Sequence, residues 1–92
     1  MKGIGINTFK KGADEAVRRL TSGEQMVTDS IRGFRFWAAL DWDDSIGEHF
    51  DIYAMDEESH MANIITGTYL GNVWYEGEAT HYIMTNGEKM TA

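Results

Sequence analysis

Phe34-Arg35-Phe36-Trp37-Ala38-Ala39-Leu40-Asp41-Trp42 is the stretch that decides the fold. Phe34, Phe36, Ala38, Leu40 and Trp42 alternate with Arg35, Trp37, Ala39 and Asp41, and a period of two is the signature of a strand with one face turned to a core. Asp43-Asp44-Ser45-Ile46-Gly47 then reads as a turn. Beyond it Phe50, Ile52 and Ala54 alternate with Asp51, Tyr53 and Met55 as a second strand. Asp56-Glu57-Glu58-Ser59 forms the next connection. A third strand is expected within His60 to Leu70, centred on Ile64-Ile65-Thr66. Gly71-Asn72 reads as a two-residue hairpin turn into Val73-Trp74-Tyr75. Gly77-Glu78 interrupts the chain before His81-Tyr82-Ile83-Met84, and Asn86-Gly87 is a last turn signal. Short turns without a crossover helix predict an antiparallel meander.

Upstream, Phe9 to Leu20 predicts the one clear helix. Phe9, Ala13, Ala16, Val17 and Leu20 share a face, with Lys11, Asp14, Glu15 and Arg18 opposite. Thr8 is the expected N-cap and Gly23 the stop. Gly12 costs this helix about 1 kcal/mol relative to alanine. Residues 24–31 are ambiguous between a short helix, with Ser22 and Gln25 as a weak capping box, and a short strand. The fold class is therefore α+β: a four- to five-stranded antiparallel sheet in a meander, with an N-terminal helix packed on one face. Residues 1–92 form a single domain.

One helix covers one face of such a sheet. With Phe34, Phe36, Leu40, Phe50 and Ile52 toward the helix, the open face shows Arg35, Trp37, Asp41, Asp51 and Tyr53. Aromatics beside charges on an open face resemble the centre of a protein interface. The plainer alternative is that Trp37 and Tyr53 are an ordinary cross-strand pair.

Charge is unevenly distributed along the chain. The first 35 residues carry seven basic side chains and four acidic ones, whereas the rest carry eleven acidic side chains and Lys89 alone. The formal net charge is −7, which opposes general binding to nucleic-acid phosphates but leaves room for a local basic contact. Lys10, Lys11, Arg18 and Arg19 have acidic neighbours at i±4, expected to neutralise them in part. Arg32 and Arg35 have none, and arginine suits bidentate contacts with phosphate or carboxylate. Asp41, Asp43 and Asp44 begin an acidic run that is either a solvated surface or an imitation of a phosphate backbone.

The sequence has no cysteine, which removes disulfides and thiolate metal sites and fits a reducing compartment. Met1 to Gly5 does not begin a signal peptide, and no segment approaches a membrane span. Counting a calcium loop from Asp41 puts Ser45, Ile46 and Ile52 where a ligand, glycine and glutamate are required. His49, His60 and His81 lack the helical spacings of zinc motifs. There is no phosphate-binding loop and no nucleophile elbow. The expectation is a non-enzymatic protein without cofactor, metal or small-molecule substrate. Its expected contact residues are Arg32, Arg35, Trp37, Asp41, Asp43, Asp44 and Tyr53, with Lys10, Lys11 and Arg18 from the helix.

Met1 through Leu20, with Gly33-Phe34-Arg35-Phe36-Trp37 and Asp41-Trp42-Asp43-Asp44, resembles phage anti-CRISPR proteins of the type I-F kind. The resemblance implies a stoichiometric inhibitor in the cytoplasm of an infected bacterium. It implies binding to protein subunits of a crRNA-guided surveillance complex, with contacts to the crRNA backbone, and a block on target-DNA recognition. The other readings left open are an acidic DNA mimic aimed at another defence system and a non-enzymatic phage structural or assembly protein with a homo-oligomeric sheet.

Overall fold

A computed structural model describes residues 4–24, 26–56 and 67–84. It contains one helix, α1 (Ile6–Ser22), followed by β1 (Phe34–Asp43), β2 (Gly47–Asp56), β3 (Thr68–Glu76) and β4 (Ala79–Met84). The strands form a single antiparallel sheet in the order β1-β2-β3-β4. The expected α+β meander with a helix on one face is the fold. The core of the expected third strand, Ile64 to Thr66, and the turn at Asn86-Gly87 lie outside the described residues.

The helix starts earlier than its apolar stripe indicates, at Ile6 and not Phe9. Gly5, not Thr8, is the N-cap, and no side chain caps the helix there. Thr8 is buried on the first turn instead. At the other end Gly23 adopts the left-handed conformation, φ +75°, as expected of a C-terminal stop.

The inner helix face carries Phe9, Gly12, Ala13, Ala16 and Val17, all buried. Most of these are glycine or alanine, so the helix approaches the sheet closely and the sheet supplies the bulk. Phe34, Phe36 and Ala38 from β1, Ile52 and Ala54 from β2, and Leu70 and Val73 from β3 complete one core with Ile4 and the helix. Burial of each large member contributes about 1.5–3 kcal/mol.

One strand expectation changes. Gly71 and Asn72 are not a turn: they lie inside β3, where Gly71 pairs with Ile52 on one side and Met84 on the other. The β2–β3 register shifts between Ile52 and Tyr53. Gly71 takes φ +145° against the backbone of β4, where a Cβ would collide with the Ile83 carbonyl. A glycine of this kind marks a bulge and a close approach of backbones. The true β3–β4 turn is Gly77-Glu78, with Glu76 opposite Ala79.

The ambiguous segment is neither helix nor regular strand. Residues 26–31 form an irregular strap along the outer edge of β1. Thr28 N–H donates to the Phe36 carbonyl at 2.9 Å, and Phe36 N–H donates to Thr28 Oγ1 at 3.1 Å. The strap therefore satisfies backbone groups that an edge strand would leave open. Arg19 ties it to the helix, donating to the Val27 carbonyl at 3.1 Å and approaching Asp29 at 3.4 Å. Gln25 lies outside the described residues.

Candidate functional site

The strap corrects the expected open face. Trp37 is buried, covered by Val27 and Met55, with Tyr53 packed against the same cluster. Trp37 and Tyr53 face each other in register and stack with ring centroids 5.6 Å apart. They are a cross-strand pair inside a second small core, not an exposed anchor. Gly67 approaches the Trp37 indole so closely that a Cβ there would overlap it.

The exposed aromatics are elsewhere. Leu40 and Trp42 lie on the helix side of the sheet, as the alternation requires, but they are 57% and 63% exposed. Element lengths explain this. At a rise of about 1.5 Å per residue, α1 spans roughly 25 Å from end to end. At a rise of about 3.3 Å per residue, β1 spans roughly 33 Å. The far end of β1 is left uncovered. Leu40 faces Phe50 across the sheet, and Phe50 meets Tyr75 edge-on at 6.1 Å. Leu40, Trp42, Phe50 and Tyr75 thus form an apolar patch on the last part of the sheet.

The end of the sheet that carries this patch is acidic. The β1–β2 and β3–β4 turns lie at the same end of the sheet, because β2 pairs with β3 antiparallel. Glu48, opposite Trp42, shares the face of the patch, and Asp44 and Glu78 are exposed in the two turns, while Asp41 and Glu76 are exposed on the opposite face. Asp43 Oδ1 accepts hydrogen bonds from Ile46 N at 2.9 Å, Ser45 N at 2.9 Å and Ser45 Oγ at 2.8 Å. These bonds, the Ile46 one first, hold its pKa below the usual range. Asp43 is therefore the residue that builds the turn as well as part of its charge. No lysine or arginine occurs in either hairpin from Asp41 to His49 or from Trp74 to His81.

The basic residues separate into paired and available groups. Glu15 accepts from Arg18 at 2.6 Å and Arg19 at 3.3 Å, and Arg18 also reaches Glu24 at 2.7 Å. The Arg18 hydrogen bond holds the Glu15 pKa down at about 2. Of the i,i+4 ion pairs expected on the helix, Glu15–Arg19 forms. Asp14 turns away from Arg18 and accepts a hydrogen bond from the Tyr82 hydroxyl at 2.6 Å, while Lys10 sits 5.3 Å from the centre of the Tyr82 ring. Lys11 borders a concavity of about 430 Å³ that Arg18, Arg19, Asp14 and Asp29 also line.

Arg32 stands at the opposite end of β1, roughly 30 Å along the strand from Asp43. Ile31 and Phe34 exchange both backbone hydrogen bonds, 2.7 and 3.1 Å, across Arg32 and Gly33. With φ values of +52° and +85° the pair forms a two-residue turn with both central residues left-handed, which asparagine and glycine suit best. Arginine in that place costs about 1 kcal/mol. Arg32 is thus an exposed residue in a strained backbone position that asparagine or glycine would occupy more easily. Arg32→Asn should raise stability by roughly 0.5–1 kcal/mol, read as a higher melting temperature; an unchanged or lower value would contradict the strain. Arg35 is half-buried beside Trp37, and its Nε is buried with no hydrogen-bond partner among the described residues.

A second cluster lies on the other face of the same hairpin. Asp41 pairs with His49 across the sheet, and Asp51 follows His49 on the same side of β2. One ligand-type atom from each lies within 4.8 Å of the others. His49 is 4% exposed. Its Nδ1 contacts the Gly47 carbonyl at 3.0 Å and its Nε2 contacts Asp51 Oδ1 at 3.2 Å. Burial pulls the imidazole toward neutrality, but the Gly47 carbonyl and the Asp51 and Asp43 carboxylates outweigh it and raise its pKa. Burial, then the Asp41 carboxyl, raises the pKa of Asp51. Tyr69 donates to the same Asp51 oxygen and receives a hydrogen bond from Asn72, each at 3.3 Å. The sequence reading misses His49, Asp51, Tyr69 and Asn72 as a site, because zinc spacing is sought along a helix and not across a hairpin.

No protein-family model, curated protein or solved structure matches the chain significantly.

Proposed function

We propose that this protein is a non-enzymatic, stoichiometric inhibitor that docks on the protein subunits of a crRNA-guided type I surveillance complex. There it blocks recognition of target DNA, in the cytoplasm of an infected bacterium. One observation carries the reading: the uncovered end of the sheet presents Leu40, Trp42 and Tyr75 beside Glu48 and two acidic turns that hold no lysine or arginine. An apolar centre with a single-signed rim fits a partner surface that is basic and partly apolar. A channel built to hold DNA phosphates has that charge. Arg32, strained at the far turn, supplies the contact to the RNA backbone or to an acidic partner residue.

Purified protein at molar excess should prevent target-DNA binding by a type I-F complex. Unchanged DNA binding and cleavage would discard the proposal. Charge changes divide it from simple DNA mimicry. If Arg32→Glu with Arg35→Glu leaves inhibition intact while Asp43→Asn with Asp44→Asn abolishes it, the carboxylates alone act and mimicry is the better account. A stable homodimer on size-exclusion chromatography would favour the assembly reading instead.

A further inference from the structure

We propose that Asp41, His49 and Asp51 form a binding site for a divalent transition-metal ion, Mn²⁺ or Zn²⁺, on the open face of the β1–β2 hairpin. The site is independent of any partner protein. Three groups of metal-binding chemistry converge on it from two rigid strands, one of them an imidazole that is almost wholly buried. Metal–ligand bonds of about 2.0–2.2 Å place neighbouring ligand atoms roughly 3.0–3.5 Å apart. His49 Nε2 and Asp51 Oδ1 already stand 3.2 Å apart.

The imidazole is oriented as a metal ligand would be. A backbone carbonyl can only accept, so the Gly47 contact places the proton on Nδ1. In the neutral ring Nε2 then directs a lone pair at a carboxylate oxygen. Two acceptors do not rest at hydrogen-bond distance without a cation or a proton between them. A ring nitrogen donating to a main-chain carbonyl while the other faces the ligand site is the usual outer-shell arrangement around a metal-bound histidine.

The carboxylate is oriented too. Tyr69 donates to Asp51 Oδ1 and is itself fixed by Asn72, the residue opposite Asp51 on β3. The remaining oxygen of Asn72, Oδ1, is buried and has no hydrogen-bond partner among the described residues. Two carboxylates and one imidazole favour Mn²⁺ or Zn²⁺ over Ca²⁺, which takes oxygen ligands alone.

The test is calorimetric titration of the intact protein with MnCl₂ and, separately, ZnCl₂ at neutral pH. Melting temperature is followed alongside. The expected result is saturable 1:1 binding of at least one ion and a higher melting temperature in its presence. Asp51→Asn and His49→Gln should each weaken binding at least about tenfold, and Tyr69→Phe about tenfold through lost orientation of Asp51. Asp41→Asn changes an exposed residue, so it keeps the fold and still loses affinity. Glu48→Gln, on the opposite face of the same hairpin, should bind as the wild type does and separates the site from general attraction to an acidic surface. Absence of saturable binding with millimolar metal overturns the proposal. So does equal binding by Asp41→Asn and the wild type, which would show that the ion is held elsewhere than at the three-residue cluster.

Discussion

Gly12→Ala should destabilise the protein, although alanine is the better helix former. The substitution gains about 1 kcal/mol of helix propensity. Against that, a Cβ at position 12 would stand 2.5–2.6 Å from three ring carbons of Phe36. Phe36 has no exposed surface and lies beneath the helix in the centre of the core. Its ring is not a flexible tip that can swing aside, so the helix must lift or the ring must leave its rotamer. Overpacking of this sort costs about 1–3 kcal/mol. The net expectation is a loss of up to about 2 kcal/mol, a fall in melting temperature of up to about 15 °C for a domain of this size. Gly12→Val adds a branched side chain at the same point and should leave the protein largely unfolded. Phe36→Leu tests the cause. It opens a cavity by itself, yet combined with Gly12→Ala it should cost less than the two changes added together, with a coupling of about 0.5–3 kcal/mol. A Gly12→Ala protein more stable than the wild type would show that helix and sheet are not in close contact there.

The same residue shows how far sequence reading reaches. Gly12 on a helix registers only as a weakness, because its reason lies across the interface, in a phenylalanine of β1 far along the chain. Local signals are otherwise faithful. Period-two alternation marks β1 and β2, Gly23 stops the helix, and Gly77-Glu78 marks the turn between β3 and β4. Gly71-Asn72 misleads because a positive-φ glycine serves a bulge as well as a turn, and only the neighbouring strand distinguishes them. Residues 26–31 mislead for a different reason. Their hydrogen bonds go to β1, through Thr28 and Phe36, so no local periodicity exists to be read.

Errors about the site follow from two geometric facts. Alternation and a single helix leave Trp37 on the open face of the sheet. An irregular strap covers that second face without leaving a pattern in the sequence. Leu40 and Trp42 continue the core alternation, so the same reading covers them. The helix is shorter than the strand it lies on, and alternation persists beyond the cover. That second fact is available from element lengths alone. So is the pairing of Asp41 with His49, once Asp43 and Gly47 close the hairpin.

Trp42→Ala is where the fold and the proposed function part company. At 63% exposure Trp42 contributes little to the core, so its loss should change stability by no more than about 0.5 kcal/mol. A tryptophan at the centre of an interface is a frequent hot spot, and truncation there costs at least about 2 kcal/mol of binding, roughly 30-fold in affinity. The loss should appear in dissociation, since a desolvated anchor resists leaving and does not steer approach. The acidic end of the sheet predicts the opposite kinetic signature. Its attraction to a basic partner acts at long range and is screened over about 10 Å at 0.1 M salt, so added salt should slow association while leaving dissociation much less affected. Trp37→Ala supplies the contrast. It removes a buried ring stacked on Tyr53 and should cost about 3–5 kcal/mol of stability, with any loss of binding explained by unfolding. A Trp42→Ala protein that binds a surveillance complex as tightly as the wild type, or an association rate indifferent to salt, would place the interface elsewhere. Arg32 would then be the first position to examine, because it alone among the described arginines is both exposed and held in a conformation its side chain disfavours.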